Sequence, residues 1–170
     1  RAFKVKVGVN PPERDLDRAR QLREALGPGV TISADANEGF SREDALVFMR
    51  GAADAGLDFV EQPVAAQDLD GMKACAAASA VPIAADEAIH GAADIRRLHA
   101  AGAAAGGSLK TIKFGGCLPV MRAGALMAEM GMRVNLAGKV AETNIASAAT
   151  AHLAVALPTL DWDVSVTNAY

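Results

Sequence analysis

The chain has 170 residues, 51% of them hydrophobic and 22% charged, which is the composition of a globular domain with a sizeable core and excludes a disordered segment. A formal net charge of -3 and a pI near 5.6 exclude the concentrated positive field that nucleic acids and anionic membranes require, so a small-molecule partner is expected. Two cysteines, Cys75 and Cys117, are too few for a disulfide framework and fit a reducing cytoplasm. Charged residues, glycines or prolines interrupt every apolar stretch before it reaches membrane-spanning length, and no signal-peptide core is present.

The chain opens at Arg1-Ala2-Phe3 without a methionine and is read as part of a longer polypeptide. Residues 2–7 are expected to form a strand with Lys4 and Lys6 on one face. A helix from about Arg14 carries Leu16, Ala19, Leu22 and Leu26 at helical spacing and stops at Gly27-Pro28-Gly29. The strand 31–35 puts Thr31, Ser33 and Asp35 on one face, and Ser41 with Asp44 reads as the capping box of a helix to about Ala55. Glu61-Gln62-Pro63 closes a very short strand, because the proline has no N–H for a ladder. A helix over 69–78, a strand ending at Asp86 and a helix over 92–100 follow, and the low-complexity run 101–107 reads as a loop. The remaining expectations are a strand over 109–112, a helix from Pro119 to about Met130, a strand over 132–136, a helix over 143–157 and a last strand over 160–163.

Strands and helices alternate throughout, which predicts an α/β domain with a parallel sheet and no internal boundary. Successive strands end on ionisable residues: Lys6, Asp35, Glu61, Asp86 and Lys110, at steps of 29, 26, 25 and 24 residues. A strand, a helix and two loops need about that length. Strand ends of this kind are where barrel and open-sheet α/β enzymes build their sites. Seven strands suit a TIM-type (β/α) barrel with one strand lying upstream. An open doubly wound sheet would carry a glycine-rich phosphate loop after an early strand, and Gly8-Val9-Asn10-Pro11-Pro12 is not one.

Three carboxylates on consecutive strand ends repel one another unless a cation sits among them. Magnesium, a hard ion that takes oxygen ligands and keeps positions open, suits Asp35, Glu61 and Asp86, with manganese as its substitute. Lys6 and Lys110 flank this set. Such an array suits removal of the proton next to a substrate carboxylate: a lysine takes the proton, and the cation stabilises the resulting enediolate. A free lysine has a pKa near 10.4, so burial and neighbouring positive charge must lower it; Lys4, on the same face as Lys6, is positioned to do so.

Lys4-Val5-Lys6, Asp35-Ala36-Asn37, Glu61-Gln62-Pro63, Ala85-Asp86-Glu87 and Lys110-Thr111-Ile112-Lys113-Phe114-Gly115-Gly116, in this order, resemble the barrel domain of the enolase superfamily, in its muconate lactonizing enzyme subgroup. The resemblance covers residues 3–163 and implies one domain over 1–170, incomplete at its N-terminus, with the first barrel strand and the N-terminal capping domain absent. It implies Lys6 and Lys110 as acid/base residues, Lys4 in support, Asp35, Glu61 and Asp86 as magnesium ligands, and a homo-oligomer. Lys110 and Lys113 would lie on opposite faces of a strand, and the family pattern selects Lys110. The mandelate racemase subgroup fits less well, because Val134-Asn135-Leu136-Ala137 offers no histidine.

Asn37 is expected to line the site as a substrate contact. Asp161 and Asp163, flanking Trp162, resemble the Asp-x-Asp with which some dipeptide epimerases hold a substrate ammonium group. That favours a racemase or epimerase acting on an amino-acid or imino-acid substrate. The alternatives are a dehydratase of a hydroxyproline-like substrate, a muconate-type cycloisomerase and, remotely, a non-catalytic barrel.

Overall fold

Alternation of short apolar strands with amphipathic helices gives the architecture its order. The computed structural model describes residues 2–140, 142–162 and 164–166. Its strands are β1 (Ala2–Lys6), β2 (Thr31–Asp35), β3 (Phe59–Glu61), β4 (Ile83–Ala85), β5 (Gly106–Leu109), β6 (Arg133–Ala137) and β7 (Val164–Ser165). The helices between them are α1 (Pro12–Leu26), α2 (Arg42–Ala52), α3 (Leu69–Ala78), α4 (Ala92–Ala100), α5 (Thr111–Phe114), α6 (Cys117–Glu129) and α7 (Asn144–Ala156). All seven strands are parallel and pair in sequence order, β1 through β7, as the α/β alternation requires. The sheet curls into a partial barrel: Phe3 and Lys4 of β1 and Val164 and Ser165 of β7 line one interior cavity of about 90 Å³. No helix among the described residues is long and apolar enough to cross a membrane.

Local chemistry fixes the helix ends. Pro12 starts α1, where a missing N–H costs nothing, and Gly27 at φ 76° ends it. Ser41 Oγ accepts from Asp44 N at 3.1 Å and donates to Asp44 Oδ2 at 2.8 Å, which caps α2. Asp68 caps α3 through Gly71 N at 2.9 Å and is gripped by Arg42. The apolar stripe of α2, Ala45, Phe48, Met49 and Ala52, is fully buried with Leu16 and Ala19 of α1. Each large side chain there stabilises the fold by about 1.5–3 kcal/mol, and Phe48→Ala would cost about 3–5 kcal/mol through lost burial and the cavity it leaves.

Two strands depart from the sequence expectation. The run read as a loop over 101–107 contains the start of β5, whose glycines are dictated by close approach. A Cβ on Gly106 would stand 2.2 Å from the Arg133 carbonyl oxygen, and one on Gly107 2.4 Å from Ile89 Cδ1. The expected strand over 109–112 therefore ends at Leu109, and Thr111–Phe114 turn into the short helix α5. The last strand lies later than 160–163: Asp161 and Trp162 form a turn, and β7 is Val164–Ser165.

Candidate active site

Parallel register sets the site. Lys6 pairs with Asp35 and Asp35 with Glu61, so three ionisable side chains stand at one level of the sheet. Lys4, two residues earlier on β1, points to the same side and pairs with Ser33 one layer below. Asp86 follows the last residue of β4, and Lys110 the last residue of β5. Lys4, Lys6, Asp35, Asn37, Asp86 and Lys110 all line one cavity of about 500 Å³ at the C-terminal ends of the strands, with Glu87, His90, Lys113 and Lys139 on its walls.

Lys6 Nζ lies 2.6 Å from Asp35 Oδ2 and 2.5 Å from Asn37 Oδ1. Asn37 thus holds the ammonium of Lys6 and donates through Nδ2 to Glu87 Oε1 at 3.1 Å. Its backbone is left-handed at φ 43°, a conformation asparagine tolerates, and its N–H closes onto Asp35 Oδ1 at 3.0 Å. The backbone carrying Lys6 is pinned from behind. Fully buried Asp15 accepts from Gly8 N, Asn10 Nδ2 and Arg18, and Arg18 donates to the Lys6 carbonyl.

Lys4 Nζ is bound to Glu61 Oε2 and stands 3.9 Å from Asp35 Oδ2, so its charge faces the carboxylates. The other oxygen of Glu61 accepts from Ser108 Oγ at 2.5 Å, and Ser108 accepts from Asn135 Nδ2 at 2.8 Å. Because the asparagine amide nitrogen can only donate, the serine proton must point at Glu61. Complete burial pushes the Glu61 carboxyl above its usual range; Lys4 opposes that, and Asp35 and Asp86 add to it. Asp86 is different. Burial acts to raise it, but Lys113 and Lys110 outweigh burial and hold it below the usual range.

Lys113 is the main correction to the sequence reading. Because α5 replaces the expected strand, residues three apart share a face instead of opposing each other. Lys110 binds Asp86 Oδ2, and Lys113 binds Asp86 Oδ1 and donates to the Asp86 carbonyl at 2.7 Å. Burial would lower both lysines; for Lys110 the Asp86 carboxylate prevails and raises it, whereas for the more enclosed Lys113 burial prevails and lowers it.

Asp161 is not at the site. Its position before β7 puts it at the N-terminal end of the sheet, where it accepts from Val134 N at 3.2 Å and from Thr159 Oγ1 at 2.5 Å. Two residues of misplaced strand boundary account for this, and Asp163 lies outside the described residues. Trp162 fills the barrel interior against Phe59, ring centroids 4.6 Å apart.

Among the described residues no three carboxylates, histidines or thiols are gathered closely enough to hold one ion as they stand. Ammonium groups lie among the carboxylates instead, as Lys4 does beside Glu61 and Asp35. The donor chemistry still fits a hard cation: Asp35, Glu61 and Asp86 are 3%, 0% and 1% exposed, all offer oxygen, and among the described residues the cationic groups paired with them are lysines.

Sequence reasoning missed Ser108, Asn135, Gln62 and Lys113. The first two were findable, since Ser108 precedes Lys110 by two residues and Asn135 interrupts the apolar run Val134–Ala137. Gln62 is fully buried at φ 38°, and its Oε1 accepts from Asp86 N at 3.0 Å and Ala88 N at 3.1 Å.

Residues 1–169 match the family model described as Enolase C-terminal domain-like. The chain is 32% identical over 162 residues to muconate cycloisomerase 1 of Pseudomonas putida, covering 95% of this chain and 43% of that protein. It is 33% identical over 158 residues to the L-Ala-D/L-Glu epimerase of Clostridium acetobutylicum, covering 92% and 44%. The crystal structure of muconate cycloisomerase from Pseudomonas fluorescens superposes with a TM-score of 0.91 at 32% identity, over 98% of this chain and 46% of that one. The chain thus spans less than half the length of these relatives. With the partial barrel, the strand-end lysines and carboxylates and these similarities together, the chain belongs to the enolase C-terminal domain-like family, in the mandelate racemase/muconate lactonizing enzyme branch of the enolase superfamily.

Proposed function

We propose that the protein carrying this chain removes and returns the proton next to the carboxylate of a small substrate, as a racemase or epimerase. The observation that supports this most is the approach of Lys6 and Lys110 to one cavity from strands on opposite sides of the site, with Asp35 and Asp86 lining the floor between them. A substrate α-carbon lying between two such amines can lose its proton to one face and regain it from the other, which inverts the centre. Lys110, held in its charged form by Asp86, suits the donor, and Lys6, oriented by Asn37, would take the proton in its neutral form. Reversal exchanges their roles.

Asp35, Glu61 and Asp86 would hold a magnesium or manganese ion, which supplies charge stabilisation to a substrate carboxylate as its neighbouring carbon gives up a proton. The chain's own residues do the rest. Ser108 and Asn135 keep Glu61 oriented, and Asn37 fixes Lys6. The same reading takes residues 1–170 as one barrel domain working with a capping domain, supported by the span of less than half of the relatives.

With Asp161 away from the site and Asp163 outside the described residues, an amino-acid-derived substrate is supported by the relatives: the epimerase above and an N-succinyl-L-Arg/Lys racemase of Bacillus cereus, 32% identical over 154 residues. A cycloisomerase is the second reading, favoured by the two muconate cycloisomerases. Incubating the full-length protein with magnesium in deuterated water and a panel of N-acylamino acids, dipeptides, hydroxyprolines and muconate-like acids separates them. Deuterium at an α-carbon with inversion supports the racemase or epimerase; lactone formation supports the cycloisomerase; water loss supports a dehydratase. Turnover without any α-deuterium or lactone would contradict the reading.

A further inference from the structure

Asp86 is held from three directions. Gln62 Oε1 accepts from its N–H at 3.0 Å, Lys113 Nζ donates to its carbonyl at 2.7 Å, and the same ammonium binds its Oδ1. Both braces are themselves fixed. Gln62 is fully buried, uses its second acceptor position on Ala88 N, and donates through Nε2 to the Val64 carbonyl at 2.9 Å. Its backbone adopts φ 38°, a conformation that glutamine rarely takes, so the surrounding fold maintains it against strain. Lys113 reaches Asp86 because α5 turns its side chain back over β4, and its side chain is 13% exposed.

A lysine that binds the carbonyl and one carboxylate oxygen of the same aspartate fixes that side chain's rotation. Only Oδ2 then remains for another cation, and in the structure Lys110 takes it. We infer that Gln62 and Lys113 are positioning residues that preset Asp86 to offer its Oδ2 to a divalent cation, while Lys110 competes for that oxygen. The inference rests on Asp86 being a ligand, as proposed above.

Two neighbouring lysines are thereby assigned opposite effects. Simple charge repulsion makes any lysine beside the site weaken cation binding, so removing either one should tighten it. Positioning reverses the sign for Lys113 alone.

The test is Mn²⁺ binding to the full-length protein, read by calorimetry and by the loss of free-ion paramagnetic signal, with thermal unfolding in parallel. Lys110→Met is expected to bind as tightly as wild type or more tightly. Lys113→Met is expected to bind about tenfold more weakly or worse, the scale typical of lost outer partners of a metal ligand. Lys113→Arg, which can donate to both oxygens, should recover most of that loss. Gln62→Asn changes no charge and shortens the reach to Asp86 N, so a similar weakening there has no electrostatic explanation; it also carries the test if Lys113→Met does not fold.

Tighter binding by Lys113→Met, or unchanged binding by both folded Lys113→Met and Gln62→Asn, would overturn the inference. The underlying reading fails separately: wild type would then bind no Mn²⁺, or Asp86→Asn would bind it as wild type does.

Discussion

At the N-terminal end of the strands, Asp58 and Asp161 direct their carboxylates at backbone N–H groups. Asp58 Oδ2 accepts from Ile32 N at 2.7 Å and from Arg23, and Asp161 Oδ2 accepts from Val134 N. At the C-terminal end, Asp35, Glu61 and Asp86 are each paired with lysine ammonium groups, and Asp35 and Asp86 line the cavity of about 500 Å³. Carboxylates tie strands in place at one end and face a cluster of lysines at the other. Repulsion among carboxylates that burial has already penalised is a cost to stability, offset in the structure by Lys4, Lys6, Lys110 and Lys113, and the proposed function gives a reason for bearing it.

Substitutions at the two ends should therefore separate activity from stability. Asp35→Asn is expected to lower α-proton exchange about 10²-fold or more, the scale of losing a few kcal/mol of charge stabilisation, while the melting temperature stays within a few degrees. Asp58→Ala should do the reverse, costing about 1–3 kcal/mol in urea unfolding because the Ile32 N–H loses its partner, with exchange per folded molecule unchanged. Asp161→Ala should cost about 0.5–1.5 kcal/mol and leave the Michaelis constant unaltered. A raised Michaelis constant there would restore Asp161 to the site.

The C-terminal carboxylates should also differ from each other in pH dependence, measured by urea unfolding in chelator. Glu61, raised by burial, contributes stability that is fully present below its unfolded pKa of about 4.3 and lost as the pH rises through its higher folded value. Asp86, lowered by Lys113 and Lys110 against the effect of burial, contributes stability present above about 3.9 and lost as the pH falls through its lower folded value. Glu61→Gln should flatten the loss as the pH rises above about 4.3, and Asp86→Asn should flatten the loss on acidification. Identical profiles for the two variants would remove the distinction. The smallest effect concerns Cys75, whose thiol burial pushes up to about 11: native protein should leave it unlabelled by thiol reagents at pH 8 while exposed Cys117 reacts.

The strand-end carboxylates were legible in the sequence because each β/α unit repeats the same plan, and the register confirms that Lys6, Asp35 and Glu61 share a level. What misled was local. Gly106 and Gly107 carry no hydrophobic signal, yet they pair with β4 and β6 as a strand, and they are glycine because the Arg133 carbonyl and Ile89 leave no room for a Cβ. That displaced the next boundary and hid the turn that brings Lys113 to Asp86. Asp161 was misplaced for the same kind of reason: a two-residue strand gives too short a period to locate its end. The buried relay from Asn135 through Ser108 to Glu61 depends on contacts across β6, β5 and β3, which no single stretch of sequence contains.

The most direct measurement uses both enantiomers of whichever substrate exchanges, in deuterated water, with Lys6→Ala and Lys110→Ala compared with wild type in the full-length protein. If the two lysines address opposite faces of one α-carbon, each variant should lose inversion, and each should retain α-deuterium exchange on one enantiomer only, the opposite one in the two cases. Exchange of both enantiomers by either variant would contradict the two-lysine site.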